Sequence, residues 1–230
     1  MNNVKRFFAV CVAVVGLSAC ATSGVSVEEL RTKANQGDPA SQFKLGLAYD
    51  SGQGVQRNLT EAAAWYKKAA EQGHAEAQNS LGSMYQNGQG VPQDYAEARR
   101  WYQKAADQGN GGAYNNLGFL YDDGLGVKQD KEKAVKFYHT AADAGSLYAV
   151  YNLAKSYWRG DGVKQDLIEA YMWMDLARFY TQFHPNRQLK WRIRGELDQI
   201  GSQLTKYQIK QAQAMGREWT EAQQKKRQKN

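Results

Sequence analysis

Along most of this chain the same residue types return every 36 positions. Gly37, Gly73, Gly109 and Gly145 form one such series, and the pairs Gly52/Gly54, Gly88/Gly90, Gly124/Gly126 and Gly160/Gly162 form another, each pair followed by Val55, Val91, Val127 or Val163. Leu45, Leu81, Leu117 and Leu153 hold the same register, as do Tyr49, Tyr85, Tyr121 and Tyr157, and then Trp65, Trp101, Phe137 and Trp173. A period of this size marks stacked supersecondary units, none of which can bury its apolar face alone.

Each unit reads as two helices. From Ala75 to Asn87, the apolar residues Ala77, Leu81, Met84 and Tyr85 fall on one helical face. Gly88-Gln89-Gly90 ends that helix, because a helix C-terminus favours a left-handed residue that glycine adopts without a Cβ clash. Asp94 is placed to cap a second helix, with Glu97 three residues on completing a capping box. The box returns as Asn58/Glu61 and Asp166/Glu169, whereas the third unit carries Lys133 in place of the glutamate. Ala98, Trp101, Tyr102, Ala105 and Ala106 make the inner face of the second helix. The expectation is an all-α solenoid of four units, at 37–72, 73–108, 109–144 and 145–180. Residues 27–36 form an N-terminal capping helix equivalent to half a unit. His184-Pro185-Asn186 breaks the register, and 186–230 forms a helical cap from Gln188–Ile200 and Leu204 to about Arg227, its lysine-rich end fraying into solvent.

The stretch AEAQNSLGSMYQNGQGVPQDYAEARRWYQKAADQG of the second unit resembles the Sel-one-like repeat (SLR) family, a relative of the tetratricopeptide repeats. The resemblance covers 37 to about 180. It implies a right-handed αα superhelix acting as an adaptor, with a concave wall built from the first helix of each repeat. On that wall, residues not required by the repeat packing include Phe43, Leu47 and Asp50, then Asn79, Ser83 and Gln86, then Asn115, Phe119, Asp122 and Asp123. Tyr148, Tyr151, Lys155, Trp158 and Arg159 complete the set from the fourth repeat. Amides that grip an extended backbone beside aromatic shelves suit a protein or peptide ligand. Some secreted relatives carry a cysteine pair in each repeat; here no cysteine follows Cys20.

The first residues read as an export signal, 1–19: Lys5 and Arg6, then an apolar run of eleven residues from Phe7 to Leu17. That run spans only about 16 Å as helix, against a hydrocarbon core of roughly 30 Å. Leu17-Ser18-Ala19-Cys20 resembles the lipobox of bacterial lipoproteins, which implies lipid (a palmitate-bearing anchor) on Cys20 and a tether over 20–26. By the same resemblance, Ala21 lacks the aspartate associated with inner-membrane retention. The implied location is the cell envelope, at the outer membrane with the body in the periplasm.

Charge is divided unevenly. Residues 21–185 hold 17 basic and 19 acidic side chains, and 186–230 hold 11 basic and 4 acidic ones. The near-neutral repeats count against nucleic acid as a partner. The basic end, with Lys225-Lys226-Arg227-Gln228-Lys229, offers an alternative role as a glycan or anionic-surface binder.

Catalytic signals are sparse. Ser41-Gln42-Phe43-Lys44 matches the S-x-x-K nucleophile motif of β-lactamase and penicillin-binding-type hydrolases, but S-D-N and K-T-G are absent. Ser41 takes the slot filled by Ala77, Ala113 and Ala149, so it reads as a small packing residue. His74, His139 and His184 have no partners at metal-ligand spacing and are expected at the surface. The expected role is therefore binding, with no enzyme activity, no metal and no cofactor.

Overall fold

The computed structural model describes residues 26–182 and 184–229. Among these there are eleven helices and no strand. A lone helix α1 (Val27–Asn35) precedes four antiparallel pairs: α2 (Pro39–Ser51) with α3 (Leu59–Glu71), α4 (Ala75–Asn87) with α5 (Tyr95–Ala106), α6 (Gly111–Asp123) with α7 (Lys131–Asp143), and α8 (Leu147–Arg159) with α9 (Leu167–Thr181). Two further helices, α10 (Arg187–Gly201) and α11 (Lys206–Lys229), close the C-terminal end. Helices α1 to α10 each pack mainly on their neighbours in sequence, as expected of a solenoid. No described helix is long and apolar enough to cross a membrane.

The loop within each pair explains the fixed spacing. Gly88, at φ 65°, ends α4 in the left-handed region. Asp94 then accepts from the N–H groups of Ala96 and Glu97 at 2.8 and 3.0 Å, which starts α5. The reciprocal half of the expected capping box does not form. The N–H of Asp94 instead donates to the carbonyl of Tyr85 at 2.9 Å, tying the cap back to the preceding helix. Asn58, Asp130 and Asp166 do the same with Tyr49, Tyr121 and Tyr157. The third position of the second helix therefore has no capping duty: Glu97 pairs with Arg100, and Lys133 in the third repeat donates to the hydroxyl of Tyr121 at 2.9 Å.

Within each pair the helices approach through a glycine set on a tyrosine ring. Gly46, Gly82 and Gly118 lie against Tyr66, Tyr102 and Tyr138, which are each 1% exposed. Burial pushes all three phenols well above their ordinary range. Their hydroxyls reach back to the first helix, donating to Asp50, Gln86 and Asp122 at 3.4, 2.9 and 3.4 Å. The fourth repeat replaces both members of this contact, with Ala154 and a buried Met174.

Between repeats, amides act as staples. Gln72 donates to Gln42, and Gln108 to Gln78, at 2.7 Å each, while Gln42 and Gln78 donate to the carbonyls of Ala34 and Ala70. The corresponding positions of the third repeat are Tyr114 and Ala144, so this staple stops there. Lys131 paired with Asp161 at 2.6 Å joins the last two repeats.

Both α10 and α11 pack on α9. Ile193, Leu197 and Ile200 are buried there, and Trp219 meets Trp173 edge-on at 5.2 Å. The basic end does not fray as expected. The α11 helix runs to Lys229, and its last turns dock on the end of α7, where Gln223 donates to Asp143 at 2.7 Å and Lys226 pairs with the same carboxylate at 3.4 Å.

Candidate functional site

The first helices of successive repeats form a continuous wall. The helices α6 and α8 of the third and fourth repeats approach each other directly. Side chains join across that wall. Asn116 Nδ2 donates to Asn79 Oδ1 and Asn152 Nδ2 to Asn115 Oδ1, both at 3.0 Å. Asn115 Nδ2 in turn faces Asn116 Oδ1 at 3.4 Å. The result is an amide relay running Asn152, Asn115, Asn116, Asn79 across α8, α6 and α4. It has a direction: among the described residues Asn79 Nδ2 donates no hydrogen bond and Asn152 Oδ1 accepts none, the two functions that an extended peptide backbone offers in complement.

The structure sorts the residues expected on this wall. Asn79 and Ser83 are half-buried on α4, and Phe119 and Trp158 are half-buried on α6 and α8. Tyr148 stands clear of the surface at 51% exposure. Lys155 holds its ammonium 5.6 Å from the ring of Tyr151. Phe43 is half-buried and stacks on His74 at 4.7 Å.

Two expected binding residues are not open. Asn115 is 9% exposed and serves as the inner link of the relay. Tyr151 is also 9% exposed, because α10 closes over it and Glu196 accepts its hydroxyl at 3.1 Å. That burial and the carboxylate beside it push the Tyr151 phenol up to about 12. Asp50, Gln86 and Asp122 hold the buried tyrosines and so belong to the packing. Asn116 and Asn152 were missed because the relay runs between positions 37 apart, one off the repeat period.

Elsewhere the chemistry is structural. Ser41 is 6% exposed at the start of α2, and its N–H donates to Asp38 at 2.7 Å; Lys44 is exposed. The hydrogen bonds from Ser41 hold the Asp38 carboxyl below its usual range. The histidines are not plain surface residues. His74 Nδ1 caps α4 by accepting from Ala77, and His184 Nδ1 accepts from Asn186. His139 is enclosed by Tyr157 and Trp173, and this burial lowers its pKa. No group of three or more His, Cys, Asp or Glu among the described residues could hold a metal ion. An open groove of about 780 Å³ beside the α6–α7 loop is lined by both signs of charge, Arg99, Lys128 and Lys131 with Asp130 and Glu132, and by Tyr121. Cys20 lies outside the described residues.

The Sel1 repeat model matches this chain at 39–74, 75–110, 112–146 and 147–178. Among solved structures, a protective antigen of uropathogenic Escherichia coli with an SLR fold is 41% identical, with a TM-score of 0.64 over 68% of this chain and 34% of that one. A Sel1 repeat protein from Oxalobacter formigenes is 32% identical, with a TM-score of 0.63 over 75% of this chain and 78% of its own. The rat DAP3-binding cell death enhancer 1 is 54% identical over 37 residues, which are 16% of this chain and only 7% of that protein. The match thus spans a small fraction of that curated relative's length.

Proposed function

The chain belongs to the Sel1 repeat family, a family of protein-interaction solenoids, and on that premise we propose that it is an adaptor holding an extended protein segment along its first-helix wall. The amide relay from Asn152 to Asn79 carries this reading. It joins four amides, leaves a donor at one end and an acceptor at the other, and lies on the same helices, α6 and α8, that carry Phe119, Tyr148 and Trp158. Amides fix the register of a backbone, and aromatic shelves supply contact area at low entropic cost. Photo-crosslinking residues placed at Asn79, Asn116 and Trp158 should capture one discrete partner in cells. Equal capture from the second-helix positions Lys136 and Gln103 would remove the idea.

We read the partner as an envelope protein, with the adaptor anchored by lipid on Cys20 and held at the outer membrane, its body in the periplasm. Support for this comes from the apolar run and the Leu17-Ser18-Ala19-Cys20 segment. Labelled palmitate should enter the protein and be lost in Cys20→Ala; labelling retained in that variant would reject the anchor.

A further inference from the structure

We propose that the exposed face of α10 is a docking site for an anionic phospholipid surface, with Trp191 as the inserted side chain. Trp191 is 83% exposed, the most open of the large apolar side chains described. It has no role in the packing of its own helix, because α10 buries Ile193, Leu197 and Ile200 on the other side. Arg187 and Arg194 sit four residues before it and three after it, positions that flank it on a helix surface, whereas Lys190 turns its ammonium to the carbonyl of Gln182 at 2.8 Å. Arg187 and Arg194 enter no ion pair among the described residues. The first turn of α11 repeats the chemistry: Tyr207, 78% exposed, stands between Lys206 and Lys210.

The combination selects among possible occupants. A protein hot spot is a desolvated cluster ringed by contacts that exclude water. Here the indole stands alone among long cationic side chains, so its surroundings are wet. An indole at the headgroup level with arginine and lysine reaching phosphates fits a lipid interface instead. The charge complement is local, since 186–230 carries 11 basic and 4 acidic residues, whereas 21–185 carries 17 and 19. The structure also moves the candidate away from the extreme C-terminus, because Lys226 is already paired with Asp143.

The test uses the full chain carrying Cys20→Ala, so that no lipid anchor contributes. Co-sedimentation would be measured with phosphatidylcholine vesicles and with vesicles containing phosphatidylglycerol, at low and high salt. The expected result is binding that needs the anionic lipid, weakens with salt, and falls about fivefold for each cation removed in Arg187→Gln and Arg194→Gln. Trp191→Ala should weaken it while leaving the melting temperature unchanged, and Trp191→Phe should abolish the quenching of tryptophan fluorescence by brominated lipid. Substituting Lys136→Gln in the repeat body, as a control, should change nothing. Equal binding to neutral vesicles, or variants that bind like the parent, would overturn the proposal. So would retention on an acidic polypeptide matrix without anionic-vesicle binding, which would assign the face to an acidic protein. None of these outcomes depends on the first-helix wall, so the adaptor reading is tested separately.

Discussion

Replacing Gly82 by alanine tests the packing that fixes each helical pair. By propensity alone the change favours the helix by about 1 kcal/mol. The added Cβ would lie 2.7 Å from both Cδ1 and Cε1 of Tyr102 and 3.2 Å from the carbonyl oxygen of Ala98. Ordinary carbon–carbon contact is about 3.5–4.0 Å, so the ring must move by about 1 Å. It has little room to do so: Tyr102 is 1% exposed, and its hydroxyl is held by Gln86 at 2.9 Å. Overpacking costs about 1–3 kcal/mol and the strained hydrogen bond about 1 more, which leaves a net loss of about 1–3 kcal/mol after the propensity gain. For a chain of this length that is about 2–4 °C per kcal/mol in Tm. The fourth repeat shows the remedy, since Ala154 there is matched with Met174. Denaturant unfolding of Gly82→Ala, Tyr102→Met and the double variant should therefore give a coupling of about 1 kcal/mol or more, with the pair better tolerated than the sum. A stabilised Gly82→Ala, or strict additivity, would show that the ring contact does not set the approach of the two helices.

Three further outcomes follow from the same geometry. Asp94→Ala should lower stability by about 1 kcal/mol through loss of the cap, while Glu97→Lys should stay within about 0.5 kcal/mol, since Glu97 does not return a bond to the cap; both are read from denaturation midpoints. Burial lowers the pKa of His139 in the folded chain, so the unfolded chain binds its proton more readily. Its contribution is present above the unfolded value of about 6.5 and is lost as pH falls below it; unfolding followed from neutral to acid pH should show a slope that His139→Phe reduces. Substituting Gln223→Ala should loosen the last turns of α11 from Asp143, seen as faster amide exchange there with α9 unaffected.

The period and its residue types made the solenoid, its helix boundaries and its caps readable from sequence, because repeated packing demands repeated residues. What escaped reading were the contacts that do not obey the period. The amide relay joins Asn116 to Asn79 and Asn152 to Asn115, positions displaced by 37, so aligning repeats at 36 hid both pairs. Tyr151 looked like a wall residue by register, and only the return of α10 shows that Glu196 covers it. The capping box failed for a related reason: the Asp94 N–H was already taken by the Tyr85 carbonyl, a bond set by loop geometry rather than residue type. The docked C-terminus depends on Asp143, which lies 80 residues from Gln223 in sequence.

On the proposed function, the first-helix wall holds an extended segment through its asparagines. Side-chain amide NMR during titration with the crosslinked segment tests it most directly. The Asn79, Asn115, Asn116 and Asn152 side-chain resonances are expected to shift together, with the groove around Arg99 and Tyr121 unmoved. Saturable binding that shifts only the groove, or only α10 and α11, would contradict it.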